Sequence, residues 1–382
     1  VAASVANQHA SSRLPRFANL TPGDPAPRFV QRSSSNPRYF LDAAAGRNLV
    51  LCFMGSANHP AARAALAAAA ARRDLFDDAH ASFLGITIDP KDESESRLAS
   101  ILPGYRFFWD FDQTISRLYG AVPVDEGEDG FMCKWVVIDP RLRITGVFHF
   151  REDGSDIAEV MAHVSTLPSA DRIGGIEAQA PIMIMDRVFD ADLCQHLIAQ
   201  YEVQDRDLSG FMRDIDGKTH IIHDNNHKLR RDHMITGSED IARLQVTIRR
   251  RIVPEIQRVH QFNVTRMERY LVACYAAEDD AHFRPHRDNT TKGTAHRRFA
   301  VSINLNADFD GGEICFPEYG TRSYKPPPGA AVIFSCSLLH AVTKVTRGRR
   351  YAFLPFLYDE AAAQLREQNM EYVAPQDGEG GN

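Results

Sequence analysis

The sequence predicts two domains of different class: an α/β unit over residues 21–167, and a β sandwich or barrel with flanking helices over residues 181–360. Three observations predict this. The chain has 382 residues, and a domain takes roughly 150. Its first half alternates apolar strand-like runs with helical segments, whereas its second half carries many short strands at close spacing. Between them PSADRIGGIEAQA (168–180) holds two glycines and little apolar periodicity, and reads as a linker.

In the first half, NLVLCFMG (48–55) and ASFLGITID (81–89) are apolar runs that read as buried strands. The alanine-rich stretch 61–73 between them reads as a helix, because alanine has the best helix propensity. FMCKWVVID (131–139) and ITGVFHF (144–150), separated by PRLR, read as a hairpin, and 156–167 as a closing helix. Residues 1–20 read as a flexible arm and 361–382 as a frayed tail.

In the second half, PIMIMDRVF reads as a strand and ADLCQHLIAQYE as a helix starting near Asp190. The polar segment 210–235 is expected to be a long loop, a lid or binding loop. Its Lys228, Arg230 and Arg231 could recognise an acidic group, with solvated loop charges the plainer explanation. The stretch 239–262 reads as a helix kinked or ended at Pro254. RMERYLVACY, FRPHRD, RFAVSINLN, GEICFP, AAVIFS and YAFLPFLY follow as strands.

The bulk numbers set limits. A net charge of −6 lacks the basic excess of a general nucleic-acid surface; Arg249, Arg250 and Arg251 read as a solvated helix face. No apolar run approaches the roughly 20 residues of a membrane helix, and the N-terminus has no signal-peptide pattern. Six cysteines form no CxxC pair, which points to a reducing, cytoplasmic setting.

The chemistry concentrates around FRPHRD. Residues i and i+2 of a strand share a face, so His286 and Asp288 can reach one metal. His340, at the end of AAVIFSCSLLH, supplies a third ligand. Two histidines and one carboxylate make the facial triad of non-haem Fe(II) oxygenases, with open positions for other ligands. Arg350, ten residues on, offers a planar fork for a carboxylate.

LVACY (271–275) leading to PHRD (285–288) is similar to the hypoxia-factor prolyl hydroxylases. SINLNADFDGGEICFPEYG (302–320) and PPGAAVIFSCSLLHAVTKVTRGRRYAF (327–353) are similar to bacterial members of the same group. Residues 181–358 thus resemble the prolyl 4-hydroxylase type of Fe(II)/2-oxoglutarate-dependent dioxygenase. The resemblance implies a double-stranded β-helix of jelly-roll type with Fe(II), 2-oxoglutarate and O2, ascorbate being supportive. It implies hydroxylation of a C–H bond in a prolyl residue, an amino acid or a specialised metabolite, with 2-oxoglutarate converted to succinate and CO2. Asp288, the carboxylate ligand that related halogenases lack, favours hydroxylation. Tyr275 matches a tyrosine that hydrogen-bonds 2-oxoglutarate, and Asn304 falls where some relatives have a tyrosine touching it. Arg297 or Arg298 could meet a substrate carboxylate, a solvated strand end being the alternative. His282 and His296 are expected at the surface, and Gly311 and Gly312 in a bulge or turn.

LTPGDPAPRF (20–29), FWDFDQTISRLYGA (108–121) and WVVID (135–139) resemble a peroxiredoxin of the AhpC/TSA type, which implies a thioredoxin-like fold for residues 21–167. The peroxidatic chemistry needs a low-pKa thiolate at a helix start. The matching loop is GSANHPAARA (55–64), with Ala62 near the cysteine's place and Met132 near that of its arginine partner. Cys52 and Cys133 are expected to be inert. The partners expected are a small-molecule or peptide substrate and a second copy of the chain through either domain, with no nucleic acid and no membrane. The competing readings are a thiol peroxidase or redox protein, and a non-enzymatic binding scaffold.

Overall fold

The computed structural model describes residues 16–125, 127–173 and 175–375. The chain divides between Gly175 and Ile176 into two compact units.

The first unit is built on a five-stranded sheet in the order Tyr105–Trp109, Ala81–Thr87, Asn48–Gly55, Lys134–Ile138, Ile144–His149. The first three are parallel; the last two are an antiparallel hairpin. The runs read as buried strands are buried along nearly their whole length. Helix Pro60–Ala70 follows the strand Asn48–Gly55 and turns Ala62, Ala65 and Ala69 into the core. Ser155–Thr166 closes the unit through Val160, Met161 and Val164. The strand Tyr105–Trp109 lies beyond the elements expected from sequence. Of the expected arm, residues 1–15 lie outside the described residues. Phe17 bridges Pro123 and Arg16 O accepts from Val124 N at 2.7 Å, so residues 16–20 begin docked rather than free.

Among its described residues the second unit has two main antiparallel sheets and a separate two-stranded hairpin, Phe211–Ile215 with Lys218–Ile222. The larger runs Met183–Met185, Ala331–Ser335, Phe299–Asn304, Val345–Phe353, Leu271–Ala276, Arg231–Met234, Asp207–Leu208. The smaller runs Lys228–Leu229, His282–His286, His340–Val342, Ile314–Cys315, Ser323–Tyr324. Period-two alternation sorts the large sheet's side chains. Val272, Cys274 and Ala276 pack under the helices Ala191–Val203, Ser238–Arg251 and Val253–His260. Leu271, Ala273 and Tyr275 instead pack with Phe283 and Val342 of the small sheet. The helix interruption falls at Ile252, just before Pro254, as its missing N–H requires.

Two expectations are corrected here. Segment 210–235 is not a loop: Phe211–Ile215 pairs with Lys218–Ile222 across an Asp216–Gly217 turn, and Lys228–Leu229 and Arg231–Met234 join the two sheets. The region after 360 is not frayed at its start, because Asp359 caps helix Glu360–Gln368 by accepting from Ala362 N at 2.9 Å.

Candidate metal centre

The small sheet brings the three expected ligands together. His286 ends the strand His282–His286, and its Cα partner across the sheet is His340. His340 does not finish the strand Ala331–Ser335, as its sequence position suggested; it opens a separate strand after a turn, and so changes sheets. Asp288 lies just past the first strand, its N–H donating to Cys336 O at 2.9 Å. One ligand atom from each residue lies within 4.8 Å of the others. Nε2 of His286 is 3.6 Å from Asp288 Oδ1, and Nε2 of His340 is 3.3 Å from Asp288 Oδ2.

The ring orientations suit a cation. His286 Nδ1 donates to Arg284 O at 2.8 Å and His340 Nδ1 to Leu338 O at 3.0 Å. A carbonyl can only accept, so each Nε2 keeps its lone pair and turns it toward Asp288. Burial, and then the neighbouring His340, push His286 down to about 4, leaving it neutral at ordinary pH. Phe283 stacks on His286 at 3.4 Å between ring centroids, and Phe334 meets His340 at 4.6 Å.

Arg350 stands on the inner face of the large sheet, paired in register with Tyr275. It is 2% exposed. Nε donates to Asn304 Oδ1 at 3.0 Å and Nη2 to Ser302 Oγ at 2.8 Å, both neutral groups. Among the described residues no carboxylate forms an ion pair with it. A buried guanidinium without a counter-ion is costly, and burial lowers its pKa to about 10. The donor set therefore fits an anion as well as a metal. Asn304, where a tyrosine contact was in question, instead fixes the guanidinium plane. Tyr275 lies under Arg350 at 5.5 Å, and its hydroxyl accepts from Arg230 Nη1 at 3.1 Å. The tyrosine proton is thus free to be donated elsewhere.

Several residues are not where sequence placed them. Lys228 and Arg230 are not solvated loop charges but buried at 3% and 5% exposure. Their strands turn them inward, where Arg230 holds Asp232 through Nε at 2.7 Å and Nη2 at 2.8 Å, and Lys228 Nζ donates to Ser209 Oγ at 2.7 Å. Arg231, the residue after Arg230, is exposed. His296 is not at the surface: it is buried, with Nε2 against Glu268 Oε2 at 2.9 Å. Arg297 Nε donates to Glu268 Oε1 at 2.8 Å, and Arg298 Nη1 to Ala295 O at 2.8 Å. Gly311 and Gly312 take φ of 71° and 62° at an irregularity in strand pairing, the bulge expected of them. Glu318 was missed. It binds Arg287, between the candidate ligands, and accepts from Leu339 N at 3.0 Å, beside the third.

In the first unit, Ala62 is buried in the opening turn of helix Pro60–Ala70, where a peroxidatic thiol would stand. Cys52 is buried within the central strand, and burial pushes its thiol well up. Burial also raises Cys133. Neither offers a thiolate.

Comparison with known proteins divides the chain in the same way. Residues 270–358 match the family model of the 2OG-Fe(II) oxygenase superfamily, and residues 22–147 that of the AhpC/TSA family. A PKHD-type hydroxylase of a Synechococcus strain is 34% identical over 89 residues, 22% of this chain and 39% of that protein. Another, of Cupriavidus metallidurans, is 38% identical over 80 residues, 18% of this chain and 35% of that protein. The chain therefore spans about 39% of the length of the curated relatives it matches first. Among solved structures, a Trichoplax adhaerens prolyl hydroxylase in complex with a peptide fragment of the hypoxia inducible factor oxygen degradation domain is similar at 18% identity. That match covers 48% of this chain and 86% of the other, with a TM-score of 0.39. Xanthomonas campestris peroxiredoxin Q is similar at 18% identity over 36% of this chain and 89% of its own, with a TM-score of 0.30. The C-terminal half thus resembles the 2-oxoglutarate/Fe(II) oxygenases of the prolyl hydroxylase type, and the N-terminal half a peroxiredoxin without its peroxidatic cysteine.

Proposed function

We propose that the second unit is a non-haem Fe(II)/2-oxoglutarate-dependent dioxygenase that hydroxylates a C–H bond. The observation that carries this reading is the convergence of His286, Asp288 and His340 together with a buried Arg350 that has no counter-ion among the described residues. We read the two facing sheets as a double-stranded β-helix of jelly-roll type. The small sheet then contributes the metal ligands and the large sheet the co-substrate anchor.

In this reading His286 Nε2, Asp288 and His340 Nε2 hold Fe(II), which with O2 supplies the oxidising chemistry as 2-oxoglutarate becomes succinate and CO2. Arg350 takes the distal carboxylate of 2-oxoglutarate with its planar fork, oriented by Asn304 and Ser302. Tyr275 donates its hydroxyl proton to that carboxylate, since Arg230 already fills its acceptor side. Phe283 and Phe334 wall the imidazoles and exclude water from them. Ascorbate would serve as the supporting reductant. A small-molecule or peptide substrate, of which a prolyl residue or an amino acid is the nearest class, follows from the likeness to PKHD-type and prolyl hydroxylases. A cytoplasmic setting fits the six free cysteines.

The test is Fe(II)-dependent formation of succinate from 2-oxoglutarate by the full chain. It should be lost in Arg350→Ala and Asp288→Ala; turnover that survives both substitutions contradicts the assignment.

A further inference from the structure

The inner face of the large sheet carries a continuous row of polar contacts that the co-substrate site does not use up. It starts at Arg350, which lies over Tyr275. Tyr275 accepts from Arg230, and Arg230 holds Asp232. Asp232 is also met by Arg269, through Nη2 at the longer distance of 3.4 Å. The Arg269 guanidinium lies 5.7 Å from the Phe356 ring, and that of Arg297 4.1 Å from the same ring. Between the ends of this row the floor is small, with Ala273 paired to Ala352.

The charges along the row do not balance. Asp232 is taken up by two bonds from Arg230, and Glu268 is shared among His296, Arg297 and Arg366. Asp288 belongs to the metal centre. Arg230, Arg269 and Arg297 are thus left with two carboxylates among them.

Two further features single out Arg269. Its side chain keeps 29% of its surface accessible, against 5% for Arg230 and 11% for Arg297, so a solute can reach it. Its backbone has φ of 64°, a left-handed conformation that bulky L-residues rarely adopt.

We propose that Arg269, with Arg297 beside it across Phe356, anchors a carboxylate of the substrate, at the opposite end of the row from the Arg350 that anchors 2-oxoglutarate. This rests on the dioxygenase reading above. The buried Phe356 ring, over which both guanidiniums lie, holds them in place, and the substrate carboxylate meets the accessible fork of Arg269.

The experiment uses the full chain loaded anaerobically with Fe(II) and 2-oxoglutarate. Acetate, benzoate and L-proline are the probes, each beside its neutral amide at constant ionic strength. The readout is the perturbation of the metal-to-2-oxoglutarate charge-transfer band. The carboxylates should perturb it and the amides should not. In Arg269→Met the carboxylate affinity should fall by about tenfold or more, with the band itself still forming. Arg269→Lys keeps the charge without the fork and should fall between, and Arg297→Gln gives a second, independent loss. The proposal is overturned if the amides act as well as the carboxylates, if no carboxylate perturbs the band, or if both Arg269 variants titrate as wild type. A wild type that forms no band overturns the dioxygenase reading itself, and the anchor with it.

Discussion

Arg287 donates to both carboxylate oxygens of Glu318, at 2.8 and 3.3 Å, from the chain position between the metal ligands His286 and Asp288. Glu318 also accepts from Leu339 N at 3.0 Å, next to His340. One buried carboxylate therefore ties the two segments that carry the triad. Glu318→Gln should weaken Fe(II) binding by about 10- to 100-fold, as losses around a metal's ligands do. It should also lower stability by roughly 3–5 kcal/mol, since Arg287 keeps its buried charge. Metal titration with thermal unfolding checks both; wild-type affinity in the variant would sever this link.

Asn304 acts on 2-oxoglutarate through Arg350. Asn304→Ala removes one of the two acceptors that hold the guanidinium plane. The dissociation constant for 2-oxoglutarate should rise about tenfold, in line with a hydrogen bond to a charged group, with Fe(II) affinity nearly unchanged. Arg350→Lys should cost more, because a point charge cannot replace the bidentate fork.

Acid should weaken the second unit in a defined window. Burial works to raise Asp232 and Glu268, but Arg230 beside the first, and His296 and Arg297 beside the second, hold both down to about 2. Their unfolded values are about 4. A depressed folded pKa contributes stability that is present above the unfolded value and is lost as pH falls through the folded one. Urea midpoints should therefore drop between about pH 4 and pH 2. Glu268→Gln should start lower at neutral pH and show a shallower drop, and an equally steep one would refute the assignment.

The metal ligands were legible in the sequence through the close spacing of His286 and Asp288, although the strand ends at His286 and Asp288 lies just past it, so strand period alone does not place the pair. The first unit's sheet was legible because its apolar runs are buried on both faces. The polar segment 210–235 was not, because its strands carry charges inward to partners from distant positions, as Lys228 does to Ser209 and Arg230 to Tyr275. A signal for part of it was present: Asp216–Gly217 is a favoured hairpin turn, with φ of 51° and 80°. His296 likewise read as a surface residue singly and makes sense only as the buried partner of Glu268.

The first unit should show no thiol peroxidase activity. Cys52 and Cys133 are both raised by burial, and no cysteine stands in the opening turn of helix Pro60–Ala70. Thiol-dependent peroxide consumption by the full chain should equal that of Cys52→Ser and Cys133→Ser, at the level of buffer. Turnover abolished by either substitution would restore the peroxidase reading.

The most direct measurement of the central claim is an anaerobic titration of the full chain with Fe(II) and 2-oxoglutarate, in wild type and in His286→Ala. A metal-to-ligand charge-transfer band in wild type that is absent from the folded variant is the predicted result. No band in folded wild type, or the same band in both proteins, would contradict the assignment of His286, Asp288 and His340 as the iron site.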